Sequence, residues 1–205
     1  MRPASHSLTV LDRLKLPMPR LNSFALLIVL STMAACASKE VLQPLAYGSV
    51  APDGVDFSGT WVIRENESDG HRSINRAVSQ AGGSKGRSSK GKAAAGQVQV
   101  FLETGRLLKI TQTADGFFVS IDRSVVEEFR FGENRMINVG EIKAQRVSGW
   151  DGPVYTVQTL DEKGMKMIDR YWLGDSKDVL LREITFRGRN KDEATVMQYF
   201  DRRAQ

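Results

Sequence analysis

The sequence predicts a mainly β fold: an antiparallel up-and-down β-barrel or strongly curved half-barrel, with one short helix and a disordered basic insert. Three observations predict it. From residue 98 onward, short runs of apolar and β-branched residues recur between turn residues. Several runs alternate with period two, as where Phe117, Val119 and Ile121 share one face and Phe118, Ser120 and Asp122 the other. Such alternation marks antiparallel strands with one packed side and one wet side. The connections are short, so neighbours in sequence are neighbours in space, and about nine twisted strands in a meander tend to close and remove their edges.

Residues 1–35 read as an export signal. Phe24 to Leu30 form an apolar run preceded by Arg20 and followed by small residues. The run is too short to span a bilayer, which takes about 20 apolar residues. Met18-Pro19-Arg20 would make a conventional start, which points to Met18 as the first translated residue. The segment Leu30-Ser31-Thr32-Met33-Ala34-Ala35-Cys36 resembles the bacterial lipobox, with Met33 where that motif usually has Leu. The resemblance implies cleavage before Cys36 and lipidation of that cysteine, the only one in the chain. Acylation would occupy a thiol that has no disulfide partner. Ala37 and Ser38 lack the aspartate that retains enteric lipoproteins in the inner membrane, so the resemblance implies the outer membrane, facing the periplasm.

Residues 36–55 read as the lipidated cysteine and a tether, because Pro44, Gly48, Pro52 and Gly54 interrupt any periodicity. The β-barrel domain is expected over 56–205. A first strand follows from Phe57-Ser58-Gly59-Thr60-Trp61. A short helix is expected to run through Ser73–Ala81, started by Ser68 or Asp69 and ended by Gly82-Gly83, with Ile74 and Val78 on one face. The insert spans about 71–97, and its low-complexity part, Gly82 to Gly96, has almost nothing to bury. Strands are then expected at Leu107–Thr113, Phe117–Asp122, Val126–Phe131, Ile142–Trp150, Val154–Leu160, Met165–Leu173, Val179–Arg187 and Ala194–Asp201.

Gly59-Thr60-Trp61 resembles the Gly-x-Trp of lipocalin-type barrels, in which the tryptophan plugs the closed end. The wider arrangement from Asp56 to Arg202 resembles a group of exported bacterial proteins. These open on a Phe-Ser-Gly-Thr-Trp strand, pass through a Gly/Arg-rich insert and continue as a β-meander. The resemblance implies the fold and the compartment and assigns no activity.

Catalytic constellations are scarce. The histidines are His6 and His71, and no metal-ligand spacing is present, so neither a metal nor another cofactor is expected. The glycine-rich stretch lacks the strand–loop–helix context of a phosphate-binding loop. The acidic pairs Glu127-Glu128, Asp161-Glu162 and Asp192-Glu193 read as strand neighbours on opposite faces or as solvated turns. Asp169 and Arg182 stand out because each interrupts an apolar parity. They would pair inside a barrel lumen and line a ligand site there, or else face water at a bulge.

The net charge of +5 is concentrated in the insert, where Arg72, Arg76, Lys85, Arg87, Lys90 and Lys92 occur without an acid. Such a segment suits anionic lipid or a cell-wall polymer; nucleic acid is not expected as a partner. The functional expectation is a lipid-anchored envelope protein, not an enzyme, that binds a small apolar ligand or a partner. The alternative is a structural or assembly role at the envelope.

Overall fold

Alternation builds one sheet. In the computed structural model, which describes residues 39–45, 48–82, 97–189 and 191–204, the chain divides into Met1–Ser38 and Lys39–Gln205, and the described residues belong to the second unit. Cys36 and the cations Lys85, Arg87, Lys90 and Lys92 lie outside the described residues. The elements are β1 (Gly59–Ile63), α1 (His71–Ala81), a single 3-10 turn (Gln97–Phe101), β2 (Leu107–Gln112), β3 (Gly116–Ile121), β4 (Val125–Arg130), β5 (Asn134–Val139), β6 (Ile142–Asp151), β7 (Val154–Asp161), β8 (Lys166–Leu173), β9 (Val179–Arg187) and β10 (Glu193–Arg202).

The ten strands form one antiparallel sheet in the order β4-β3-β2-β1-β10-β9-β8-β7-β6-β5. The first strand pairs with the last, Trp61 opposite Arg202 and Ile63 opposite Phe200. The meander therefore curls into a strongly curved half-barrel of lipocalin-like character. Its two edges, β4 and β5, are consecutive in sequence yet unpaired with each other. Only their shared turn end is tied in. The Arg130 carbonyl accepts from the Ser148 hydroxyl at 2.7 Å and from the Tyr155 hydroxyl at 3.2 Å, and the Glu133 carbonyl accepts from the Ser148 amide at 2.9 Å. Gly132, at φ +70°, makes the sharp reversal between the two strands in a left-handed conformation that glycine adopts without strain.

The strand count is one higher than the sequence predicts, and the added strand is β5. Its residues Asn134–Val139 are nearly all exposed, so neither face carries an apolar parity. The helix is present, but its expected start is corrected. The residue before it is Gly70, and no side chain caps it. Ser68 and Asp69 serve β10 instead: the Ser68 hydroxyl accepts from the Tyr199 amide and the Asp69 carboxylate from the Met197 amide, each at 2.9 Å. Strand β1 ends at Ile63, so these amides of β10 need partners from elsewhere. Helix α1 also occupies the first part of the stretch expected to be a disordered insert. It buries Ile74, Ala77, Val78 and Ala81 on one face. Its last turn rests on Gly188, where any β-carbon would collide with the Ala81 carbonyl.

Leu42, Leu45, Ala51 and Val55, in the stretch expected to be a free tether, pack against the barrel. Leu42 is buried with Val147 and Leu160 on the outer face of β6 and β7. The Gln145 amide mimics a strand partner for it, accepting from the Leu42 amide at 2.8 Å and donating to its carbonyl at 3.0 Å. Farther on, Gly48 crosses Gly149, and Ala51, Val55 and Phe57 reach the interior.

The interior holds two apolar clusters. One, at the Trp61 end, contains the interlocked rings of Phe57, Phe117, Phe129, Phe131, Trp150, Tyr155 and Tyr171. The other, under α1, contains Ile74, Val78, Val98, Phe101, Met167, Ile184 and Phe186. Trp61 is fully buried; its indole N–H donates to the Phe57 carbonyl at 2.9 Å, and the Arg202 guanidinium lies 4.1 Å above its ring. Trp61→Ala should lower stability by about 3–5 kcal/mol, as for a large core truncation. Chemical denaturation checks this, and a midpoint equal to wild type would contradict the packing.

Candidate functional site

Between the two apolar clusters runs a polar belt. The inward parity places one polar side chain on each of several strands: Glu127 on β4, Arg146 on β6, Thr159 on β7, Asp169 on β8, Arg182 on β9 and Gln198 on β10. On β9 the belt residue stands between Leu180 of one cluster and Ile184 of the other. On β10 it stands between Phe200 and Val196, and on β8 between Tyr171 and Met167. Alternation therefore sets the belt's depth.

Asp169 and Arg182 form the belt's fixed part. Their side chains are 5% and 3% exposed. Arg182 Nε donates to Asp169 Oδ1 at 3.0 Å and Nη2 to Oδ2 at 2.7 Å, a two-pronged contact. The remaining donor, Nη1, reaches the Glu103 carbonyl at 3.0 Å and Gln198 Oε1 at 3.4 Å. The Tyr171 hydroxyl donates to Asp169 Oδ2 at 2.8 Å, and its ring lies 5.2 Å from the guanidinium. Burial works most strongly against the Arg182 charge, but the Asp169 carboxylate, together with Tyr171 and Glu127, more than offsets it and the pKa is raised. Burial also holds the Tyr171 phenol protonated far above its usual range. This half of the belt is satisfied and neutral.

The other half is not. Arg146 is 8% exposed, its Nε–H has no hydrogen-bond partner among the described residues, and its guanidinium lies 5.5 Å from the Phe129 ring centre. In register it stands opposite Thr159, fully buried with an unpaired hydroxyl, and opposite Arg135 of the edge strand. Arg135 is half-exposed and donates to the buried Glu133 carboxylate at 2.7 Å. Directly opposed residues share a face, so Arg135, Arg146 and Thr159 form one inward row beside the β4–β5 break. Glu127 faces the same region from β4. Burial pushes its carboxyl above the usual carboxylate range, against the pull of Arg146 and Arg182.

An orphaned donor in a buried site has a physical cost, which a ligand acceptor would relieve. The arrangement suits an anionic or polar head group, with apolar walls on either side. A separate opening of about 430 Å³ lies near the start of α1, lined by Asp69, His71, Ile74, Thr104 and Gln198, so a belt residue forms part of its wall. His71 is exposed there, and among the described residues no group of His, Cys, Asp and Glu could hold a metal ion.

Glu127 and Glu128 point to opposite faces of β4 as expected, Glu127 inward; the reading of Asp161 as part of a solvated turn is corrected. Asp161 is buried, and its carboxylate accepts from the amides of Val98, Lys163 and Met165 at 3.1, 2.9 and 2.9 Å, pinning the 3-10 turn to the β7–β8 hairpin. Sequence reasoning passed over Arg146, although the signal was present: it shares a parity with Ala144, Ser148 and Trp150.

No protein family and no curated protein matches the sequence. Solved structures do. Secretory abundant heat soluble protein 4 from Ramazzottius varieornatus is 16% identical, with a TM-score of 0.48 over 74% of this chain and 97% of that one. Apo lipid binding protein 8 of Caenorhabditis elegans is 13% identical, with a TM-score of 0.46 over 72% and 95%. A Schistosoma mansoni fatty acid binding protein in complex with arachidonic acid is 16% identical, with a TM-score of 0.46 over 72% and 96%.

None of these three is an exported bacterial protein, so the resemblance to the Phe-Ser-Gly-Thr-Trp group is corrected to a likeness of fold alone. The physical reason is that Phe57 and Trp61 are accounted for by packing at the barrel end, which reports a fold and not a compartment. The lipoprotein assignment, membrane attachment through an acyl chain on Cys36, the anionic-lipid or cell-wall partner and the outer-membrane location are corrected with it. Among the described residues no helix is long and apolar enough to cross a membrane.

Two predictions follow from the belt's electrostatics. Asp169→Leu or Arg182→Met alone should cost about 3–5 kcal/mol, because each strands a buried charge, whereas the double variant should cost less than either. Urea unfolding of the three variants checks this; additive losses would refute the coupling. Glu127 has a raised pKa in the folded state, so the folded chain keeps a proton that the unfolded chain has lost. Its contribution to stability should therefore fall as pH rises from the ordinary carboxylate range through the raised value. Glu127→Gln should remove that slope, which unfolding midpoints between about pH 4 and pH 8 would reveal.

Proposed function

We propose that this chain is a non-enzymatic binding module for a small apolar ligand with an anionic head group. The head group lies against Arg146 and Thr159, and the apolar part lies along the clusters that flank the belt. The observation that carries this reading is the buried Arg146 guanidinium with an unpaired Nε–H, in one inward row with an unpaired Thr159 hydroxyl, beside the only break in the ring of strand pairings among the described residues.

Several features support binding over catalysis. The Asp169–Arg182–Tyr171 group is closed on itself, with its donors directed at Asp169, Glu103 and Gln198, so it supplies a rigid wall and no free acid or base. Asp169 and Arg182 thus act on the ligand through the shape and charge of the belt. Around them, Glu127 and Asp169 face Arg146 and Arg182, two acids against two bases. Proton uptake by Glu127 leaves the belt one positive charge in excess, which a carboxylate, sulfonate or phosphate head would balance. The aromatic cluster fills the Trp61 end, so an apolar tail is directed toward the methionine-containing cluster under α1 or out through the β4–β5 break.

Displacement of 1-anilinonaphthalene-8-sulfonate by medium-chain carboxylates and by the matching alcohols tests the reading. Wild-type protein should bind the carboxylate more tightly than the alcohol. Arg146→Met should weaken the carboxylate about tenfold or more, the value of one charged hydrogen bond, and leave the alcohol nearly unchanged. Equal affinity of wild type and variant for the carboxylate, with an unchanged melting temperature, would overturn it.

A further inference from the structure

On the outer face of β1, β2 and β3 lies a second polar surface that the belt does not use. Register places Thr60, Lys109 and Ser120 side by side across these strands, Thr60 opposite Lys109 and Lys109 opposite Ser120. Arg203 extends this row, because its amide donates to the Thr60 carbonyl at 2.8 Å. Arg123 approaches from the β3–β4 turn. The row surrounds a surface cavity of about 520 Å³, lined by Thr60, Leu107, Lys109, Ser120, Arg123 and Arg203, with Ala204 at its end.

The charge of this cavity is one-sided. Lys109, Arg123 and Arg203 are all exposed, and among the described residues none takes part in an ion pair. Among the described residues no carboxylate side chain lines it. The acids close to it in sequence or register are already engaged. Asp201, opposite Val62 on the same face, is held by Arg64, whose Nε and Nη2 donate to it at 2.9 and 2.6 Å. The Asp122 carboxylate accepts from the amides of Arg106 and Leu107 at 2.9 and 2.8 Å. Glu65 is paired with Arg106.

The backbone adds a second observation. Asp122 and Arg123 both have positive φ, 48° and 63°, and the Ser124 amide donates to the Ile121 carbonyl at 3.0 Å. This is a tight hairpin of the kind that favours glycine at its second central position. An arginine stands there in a left-handed conformation that side chains disfavour, and it projects beside the cavity.

We propose that this outer cavity is an oxyanion site, separate from the interior belt, that takes the doubly charged group of a phosphate or phosphate monoester. Lys109, Arg123 and Arg203 supply the charge, and the hydroxyls of Thr60 and Ser120 supply neutral donors between them. Three converging cations favour a compact dianion over a monoanion, and their exposure makes the binding sensitive to salt.

Backbone amide chemical shifts of the full chain, followed by NMR at low ionic strength, test the site. The titrants are inorganic phosphate, glycerol phosphate and, at matched ionic strength, sodium chloride. Saturable shifts centred on Thr60, Lys109, Ser120, Arg123 and Arg203 with either phosphate, and not with chloride, would support it. Tighter binding of glycerol phosphate would assign the site to an organic monoester, and equal binding to the free anion. The single variants K109Q, R123Q and R203Q should each weaken phosphate binding about two- to fivefold, as for exposed charge contacts, and the triple variant should abolish saturation. Unsaturable shifts, equal shifts with chloride, or an unchanged response of a triple variant that melts like wild type would each overturn the proposal. Because the belt lies on the inner face, these substitutions should leave carboxylate binding at Arg146 unchanged, so either assignment can fail alone.

Discussion

A guanidinium and a carboxylate held in the middle of a barrel lose most of their hydration. They persist there only if each hydrogen-bonding position finds a partner. The Arg182–Asp169 pair meets that condition by recruiting Tyr171, Gln198 and the Glu103 carbonyl from the strands and loop around it. Much of the interior follows from this. An apolar core could run unbroken from Trp61 to the helix, but the pair divides it into an aromatic cluster and a mainly aliphatic one. It also fixes register. Sliding β8 against β9 by one residue would turn one of the two charges outward and leave the other buried alone, a penalty larger than the loss of one apolar contact.

Most of this architecture is legible in the sequence because period two is written clearly along the strands that face the core. Val179–Arg187 reads as a strand to its ends, and the breaks in parity at Asp169 and Arg182 mark the place where two charges face inward. The illegible parts have physical causes. Strand β5 is an edge with both faces wet, so its residues carry no alternation. Ser68 and Asp69 have the chemistry of a helix cap, but the unpaired amides of β10 are nearer and claim them. Asp161 belongs by sequence to a turn, and only the three-dimensional approach of Val98 reveals it as a buried acceptor. Thr159 and Gln198 are neutral and small enough in polarity to leave the parity pattern unremarkable.

Arg146 illustrates a different limit. Its position in an inward parity is readable, yet its meaning lies in what it fails to touch. A charged side chain that interrupts a pattern is a signal of burial; whether it is a structural or a binding residue depends on how many of its donors are already taken. Arg182 uses its donors within the protein. Arg146, two residues from Ala144 and from Ser148 on the same face, retains a free one. Sequence pattern locates both and cannot separate them.

The break between β4 and β5 follows from the same accounting. A sheet that closes through β1 and β10 must leave its two edges somewhere, and here the short turn at Gly132 brings them to one place. At the turn end, Arg130 and Glu133 are tied to β6 and β7 through Ser148 and Tyr155, which leaves the opposite ends of the two strands free of each other. Pairing along their full length would have added backbone hydrogen bonds, each worth on the order of 1 kcal/mol net. The fold forgoes these at the one point in the ring where Glu127 and the Arg135–Arg146–Thr159 row face each other across the break. Elsewhere the wall is continuous and the belt is satisfied. Here the wall is open and the belt is not, and it is this coincidence, more than any single residue, that supports a binding role for the inner face between β4 and β6.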